Sequence, residues 1–181
     1  MKVMVFLSCL LVPFASHGTE KRWDFRVFLD DREVGTHRFT LTEEGGVREL
    51  RSVARFDLRF LLVTAWRYRH EATERWRDGC LDSLVSRTED NGEPYAVDWR
   101  RGDGCEMSFA YWNPRIVDAS RLLNAQTGEL ERVRFARLAG ERWRLSAPGI
   151  QIELQYAGGE WVALEALKDG RRLRYVRETS G

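Results

Sequence analysis

The chain has 181 residues, of which 43% are hydrophobic and 31% are charged, and its formal net charge is +1. This length suits one domain with a substantial core. The near balance of charge excludes a nucleic-acid binder driven by electrostatics, which needs a basic excess, and the hydrophobic content excludes a disordered chain.

The first eighteen residues have the pattern of a secretory signal peptide. Lys2 precedes an apolar run from Val3 to Val12, Pro13 interrupts that run, and Ser16 and Gly18 supply small residues before a cut. The run is too short for a membrane-spanning helix, which needs ~20 residues. We therefore expect an exported, periplasmic protein whose mature chain has no transmembrane span; a buried N-terminal strand is the alternative.

Three strands are predicted next by alternation of apolar and polar residues. They cover Trp23–Leu29, Val34–Thr42 and residues 47–60, and turns are predicted at residues 30–33 and 43–46. In the second of these strands His37 shares a face with apolar neighbours.

The segment 66–77 is predicted to be a strand, although a helix is the rival interpretation. Its alternation places on one face Trp66, Tyr68, His70, Ala72, Glu74 and Trp76. The interleaved arginines are then the outer face of a strand. We do not interpret them as a nucleic-acid site, because cleavage of the signal peptide leaves equal numbers of basic and acidic residues.

Asn91–Gly92 predicts a type I′ hairpin turn. Pairing outward from this turn gives the cross-strand partners Thr88 and Tyr95, Ser86 and Val97, and Leu84 and Trp99. The apolar partners share one face, which supports this register.

The pattern of alternation stops between residues 104 and 125. A short helical segment is predicted near 106–112, ended by Asn113–Pro114. Five further strands are predicted at about 130–138, 141–147, 150–157, 160–167 and 171–178. The fold class is therefore mainly β: one domain over 19–181, formed by a curled antiparallel sheet or a barrel-like, lipocalin-like closure by analogy.

Two cysteines, Cys80 and Cys105, remain once Cys9 leaves with the signal peptide. An even pair in an exported protein predicts a disulfide, and the hairpin brings the two residues near each other. The alternatives are a nucleophilic thiol and a zinc site formed by His70, Glu74 and Cys80, whose spacing fits no standard zinc pattern. We expect no metal and no cofactor.

Several segments occur in an order that is similar to a known family: Trp23–Val27, Gly35–Phe39, Glu74–Leu81, Asp90–Gly92, Cys105–Pro114 and Leu122–Gly128. The chain resembles an uncharacterised bacterial exported family, domain-of-unknown-function family 6134, over most of residues 20–135. The resemblance implies export and brings no activity or catalytic residues.

The candidate ligand-binding residues are the polar and aromatic side chains of the inner strand face and of the irregular segment: Tyr68, His70, Glu74, Trp76, Tyr111, Trp112, Asn113, Asn124 and Gln126. A rigid loop over a curled sheet is a common place for a pocket. The alternative is that the amides satisfy backbone groups in tight turns.

The leading functional hypothesis is a non-enzymatic envelope protein that holds a hydrophobic ligand, such as a lipid or an acyl chain, against the aromatic face of the sheet. One alternative is an envelope module that binds another protein through a sheet edge. The other is an enzyme of unknown class, with His70 or His37 as its base.

Overall fold

The structure is a computed structural model and describes residues 18–60, 63–168 and 170–178. The first six strands are β1 (Thr19–Leu29), β2 (Arg32–Glu44), β3 (Val47–Phe60), β4 (Val63–Arg77), β5 (Cys80–Asp90) and β6 (Glu93–Arg100). An insertion over residues 101–133 follows, with a 3₁₀ helix (Pro114–Asp118), β7 (Arg121–Leu123) and β8 (Leu130–Arg132). The last strands are β9 (Arg134–Arg137), β10 (Arg142–Ala147), β11 (Ile150–Ala157), β12 (Glu160–Lys168) and β13 (Arg171–Arg177).

Eleven strands of the described chain form one antiparallel sheet, in the order β6-β5-β4-β3-β2-β1-β13-β12-β11-β10-β9. The pairing of β1 with β13, with Phe25 opposite Arg177, joins the two halves of the chain. The outermost strands β6 and β9 do not pair with each other, so the sheet is open. This architecture confirms the mainly β, curled-sheet prediction.

The sheet is curved, as a contact across its inner face shows. The rings of Phe39 in β2 and Trp161 in β12 lie 5.1 Å apart, although β1 and β13 run between these strands. Neighbouring strands are spaced by about 4.8 Å, so a flat sheet would hold the two backbones about 14 Å apart. The large side chains reach each other because the sheet curls toward them.

The inner face of the sheet is the one predicted from the alternation. Trp23, Phe25, Phe39, Phe56 and Trp76 are buried there. Tyr68, Val97 and Trp99, which the same alternation places inward, are partly buried against this core. The hairpin register predicted from the Asn91–Gly92 turn is also confirmed, with Leu84 opposite Trp99.

The predicted helix at 106–112 is wrong in position. Residues 106–112 form turns and one isolated bridge, and the 3₁₀ helix begins at Pro114, after Asn113. Asn113 accepts a hydrogen bond from the backbone N–H of Arg115 (3.1 Å) and so caps the helix instead of ending it. Proline is well tolerated at the first helical position, where its missing N–H costs nothing.

The predicted strand 130–138 is two strands that belong to different sheets. β8 pairs with β7 inside the insertion, whereas β9 joins the edge of the large sheet beside β10. Val133, between them, is buried and donates its N–H to the carbonyl of Ser120. The chain therefore leaves one sheet and enters the other within a single residue.

We name the two ends of the sheet by their hairpin turns. The closed end has the turns at 45–46, 78–79 and 158–159, and the open end has those at 30–31, 91–92 and 148–149. The insertion packs at the closed end, where the backbone N–H of Leu81 donates to the carbonyl of Glu106. In the part of the chain that the structure describes, no helix has the length and apolarity needed to cross a bilayer.

Candidate functional site

Glu74 joins the sheet to the insertion beneath the closed end. It lies on the inner face of β4 and is only 5% exposed. Its Oε2 accepts hydrogen bonds from the indole of Trp76 (2.9 Å) and from the hydroxyl of Ser108 (2.9 Å) in the insertion. Burial raises the pKa of Glu74 to about 7, and these two donors oppose the rise. The carboxyl group is therefore partly protonated near neutral pH.

The aromatic residues of the insertion pack on this region. Trp112 meets Trp76 edge to face, with ring centroids 5.6 Å apart, and Tyr111 packs against Trp161 at 5.5 Å. The hydroxyl of Tyr156 donates to the carbonyl of Tyr111 (2.9 Å). These contacts fill the closed end, where Trp76 and Trp161 are almost fully buried.

Two histidines form a polar layer midway along the inner face. The ring of His37 lies with its Nε2 2.7 Å from the hydroxyl of Ser52 and its Nδ1 3.1 Å from the hydroxyl of Tyr175. The Nδ1 of His70 lies 2.7 Å from the hydroxyl of Thr88. We call these five side chains the hydroxyl–imidazole layer.

Both imidazoles of this layer are neutral at pH 7. Burial lowers the pKa of His70 to about 4. Burial also lowers the pKa of His37, and a charge on His70 would lower it further. Neutral imidazoles suit a general base. The sequence-based enzyme hypothesis called for a carboxylate or a thiol beside one of these imidazoles, and the ring-nitrogen contacts described above go to hydroxyl groups instead.

The inner face is only half buried at the open end. Phe56, Trp66 and Tyr68 stack there, with centroids 5.4 to 6.3 Å apart and ring planes within 14° to 27° of parallel. Trp66 and Tyr68 are of intermediate exposure, as are Leu29, Leu58, Ile150 and Leu173 at inner positions of four other strands. An aromatic and aliphatic surface thus remains accessible at this end.

Two of the three candidate amides hold the insertion together, and the third contacts the sheet. Asn113 caps the 3₁₀ helix. Asn124 accepts from the backbone N–H of Gln126 (2.8 Å) and donates to Glu131 (2.6 Å). Gln126 instead reaches the sheet, where its Oε1 accepts from the hydroxyl of Tyr68 (3.3 Å). Two of the three amides therefore order turns, and only Gln126 borders the accessible surface.

Cys80 and Cys105 form the predicted disulfide, with Cα atoms 4.9 Å apart. The strand pairing of the hairpin ends at Ser83 and Arg100, and the bridge continues the connection beyond it. Both sulfur atoms are used in the disulfide, so neither cysteine is a nucleophile or a zinc ligand while the bridge is formed. Among the described residues, no group of three His, Cys, Asp or Glu side chains is placed to hold a metal ion.

The structure brings most of the predicted residues to one face but divides them between two regions. Glu74, Trp76, Tyr111 and Trp112 lie in the packed closed end, whereas Tyr68 borders the open end. His70 lies between them.

Sequence reasoning missed Ser52, Ser108 and Tyr175 as polar partners. Ser52 and Tyr175 occupy inward-facing positions in the alternating pattern of their strands, and this pattern could have identified them. Ser108 lies in an irregular segment with no periodicity, so the sequence contains no comparable signal for it.

The comparisons with known proteins agree with the resemblance seen in the sequence. A search of the curated proteins found no match for this chain. A family model described as "Domain of unknown function (DUF6134)" matches residues 25–178. The match extends through β9–β13, where the sequence alone gave no recognisable segment. Because the model covers most of the chain, the protein belongs to the DUF6134 family.

Proposed function

We propose that this protein binds a hydrophobic ligand, such as a lipid or an acyl chain, on the inner face of its curled sheet at the open end. The observation that supports the proposal is the change in burial along that face. At the closed end inner residues such as Leu50 and Leu81 are buried, whereas Leu58 and Leu173 at the open end are only partly covered.

A contiguous apolar surface of this kind is costly to leave in water, at roughly 25 cal/mol per Å². The stack of Phe56, Trp66 and Tyr68 provides flat contact area for an alkyl chain. Polar groups lie next to the stack, where the hydroxyl of Tyr68 donates to the side-chain oxygen of Gln126 (3.3 Å) and the amide of Gln126 donates to Asp90 (3.4 Å). This combination of an apolar wall and a few polar groups is typical of small-molecule pockets.

The cellular location that we propose is the bacterial periplasm. The disulfide between Cys80 and Cys105 supports it, because structural disulfides persist in oxidising compartments. The signal peptide predicted at 1–18 lies outside the described residues apart from Gly18 and stays a prediction, as do the mature boundaries 19–181.

The alternative of an assembly module that pairs through a sheet edge has less support. The edge strand β6 contains Pro94, which cannot donate to an added strand, and it also contains the charged residues Glu93, Asp98 and Arg100. Proline and charges are features that discourage edge-to-edge pairing. We therefore favour the ligand-binding role.

Two measurements on the protein secreted to the periplasm test the proposal. Mass spectrometry of an organic extract of the purified protein should reveal a co-purifying lipid. A dansylated undecanoic acid should bind the delipidated protein, with tryptophan-to-dansyl energy transfer from Trp66.

A matched pair of variants locates the site. Leu173 is at an inner position of β13, and Leu167 on neighbouring β12 is an outer residue that is 51% exposed. Leu173→Gln should weaken dansyl-acid binding by roughly tenfold, as expected for the loss of about 1.4 kcal/mol of apolar contact. Leu167→Gln should leave it unchanged. No extracted lipid together with no probe binding, or equal losses in both variants, would refute the proposal.

A further inference from the structure

Asp90 lies at the open end of the sheet, directly before the Asn91–Gly92 turn. It follows the buried residue Thr88 in the inward alternation of β5, and its cross-strand partner is Tyr68 in β4. The residue is of intermediate exposure, so part of it is accessible to solvent. Asp90 therefore stands at the rim of the accessible apolar surface, on the inner side of the sheet.

The hydrogen bonds of Asp90 hold its carboxylate beside the aromatic stack. Oδ1 accepts from the indole N–H of Trp66 (2.9 Å), and Oδ2 accepts from the side-chain amide of Gln126 (3.4 Å). Burial raises the pKa of the neighbouring Tyr68 hydroxyl, and the charge on Asp90 raises it further. The carboxylate thus faces the groups of the inner surface and not the outer side of the hairpin.

The charge of this carboxylate is not offset by a cation. Both of its partners are neutral donors, and no Lys or Arg whose side chain the structure describes forms an ion pair with it. The carboxylates of Asp30 and Asp31, at the same end of the sheet, are paired with Arg171 and Arg172. A carboxylate has about four acceptor positions, so roughly two remain open to a ligand. A partly covered negative charge without a counter-charge favours the binding of a cation.

The rings next to Asp90 suit the same kind of ligand. Trp66 and Tyr68 are of intermediate exposure, and their ring centroids are 5.8 Å apart. Organic ammonium ions bind to aromatic rings within about 6 Å of the centroid, and most strongly to indoles. The bond from the Trp66 N–H to a carboxylate polarises the indole and makes its ring more attractive to a cation. The carboxylate and the rings therefore favour the same class of head group.

We infer that the open end binds amphiphiles whose head group contains an organic ammonium ion, held by the Asp90 carboxylate and the rings of Trp66 and Tyr68. The inference rests on the proposed function, because the alkyl chain needs the apolar surface, and it adds the chemical class of the head group. A primary ammonium donates to the open positions of the carboxylate, whereas a quaternary ammonium interacts through its charge and with the rings. An anionic head group is repelled by Asp90.

Isothermal titration calorimetry of the delipidated mature protein tests the head group. Three probes with the same alkyl chain are titrated at low ionic strength and below their micelle concentrations: dodecyltrimethylammonium, dodecylammonium and dodecanoate. At least one of the two cations should bind roughly tenfold more tightly than dodecanoate, through its attraction to the carboxylate and the rings. The tighter cation shows whether the site prefers a quaternary or a primary ammonium.

A matched pair of variants on β5 locates the ammonium. Asp90→Asn removes the charge and keeps an oxygen that can accept from Trp66, so affinity for the cations should fall roughly 3- to 10-fold. Affinity for dodecanoate should not fall. Glu89→Gln removes one negative charge from an exposed position on the outer face of the same strand, and it should leave the preference for cations unchanged.

Equal affinity for all three probes, or tighter binding of dodecanoate, would overturn the inference while the proposed function stands. Absence of binding by every probe would refute both. A preference for cations that persists in Asp90→Asn, or that is lost equally in Glu89→Gln, would place the ammonium elsewhere and would also overturn the inference. The comparison of head groups on the wild type decides the question even if Asp90→Asn does not fold.

Discussion

Glu74→Gln should remove a pH-dependent loss of stability. The unfolded chain releases the Glu74 proton near pH 4.5, whereas the folded protein holds it up to about pH 7. Between these values the folded state binds more protons than the unfolded state, so stability falls as pH rises. The contribution is fully present below pH 4.5 and lost by about pH 7. A shift of this size corresponds to about 3 kcal/mol for a buried group.

Glutamine reproduces the shape of the protonated carboxyl group without ionising. Its side-chain oxygen can accept from both Trp76 and Ser108, the two donors that now reach Glu74. We expect the free energy of unfolding of the variant to match that of the wild type within about 1 kcal/mol at pH 4.5. At pH 8 the variant should be the more stable by about 2–3 kcal/mol.

Urea denaturation at pH 4.5, 6 and 8 measures this difference. The control is Glu71→Gln, three residues earlier on the outer face, where the side chain is 58% exposed. His37 and His70 have lowered pKa values and act in the opposite direction, so their contribution is lost as pH falls below about 6.5. Both histidines are present in wild type and variant, so their contribution cancels from the comparison. Parallel pH profiles for wild type and Glu74→Gln would refute the reasoning.

Variants that alter three further features of the fold are tested by denaturation. Cys80→Ser and Cys105→Ser should each lower the free energy of unfolding by about 3.5 kcal/mol, the chain-entropy contribution of a loop with a separation of 25. A loss in either variant that is smaller than the loss on reducing the wild type would contradict the bridge. Gly35→Ala should cost about 3–5 kcal/mol, because its Cβ would lie 1.9 Å from a carbonyl oxygen of β3, whereas Gly45→Ala, in open space, should cost about 1 kcal/mol. Asn113→Ala should cost about 1 kcal/mol through loss of the helix cap, and an unchanged midpoint would argue against that role.

The features that sequence predicted best depend on local rules. Alternation with a period of two identified the inner residues of β4, such as His70 and Glu74, because a strand must bury one face. The Asn91–Gly92 turn fixed the register of β5 and β6 because both central residues have positive φ. The disulfide followed from this register together with the number of cysteines.

The features that sequence could not predict depend on contacts between distant segments. Nothing in the patterns of β1 and β13 indicates that they pair, since both are ordinary alternating strands 142 residues or more apart in the chain. The bond from Ser108 to Glu74 spans 34 residues and begins in a segment without periodicity. The position of the 3₁₀ helix was missed because proline both ends helices and begins them, and the cap formed by Asn113 decides between the two.

The hydroxyl–imidazole layer limits how the proposed hydrophobic ligand would lie. Its imidazoles are neutral at pH 7, and burial raises the pKa of Tyr175 in the same layer, so its side chains are uncharged there. An ionised head group placed against this layer would lose water without gaining an opposite charge, which is costly in a buried site. The rim of the open end is different, because it is exposed to water: Arg171 and Arg172 form exposed ion pairs there with Asp30 and Asp31, and a polar head at this rim keeps its hydration. An amphiphile would therefore bind with its apolar chain toward the layer and its polar head at the rim.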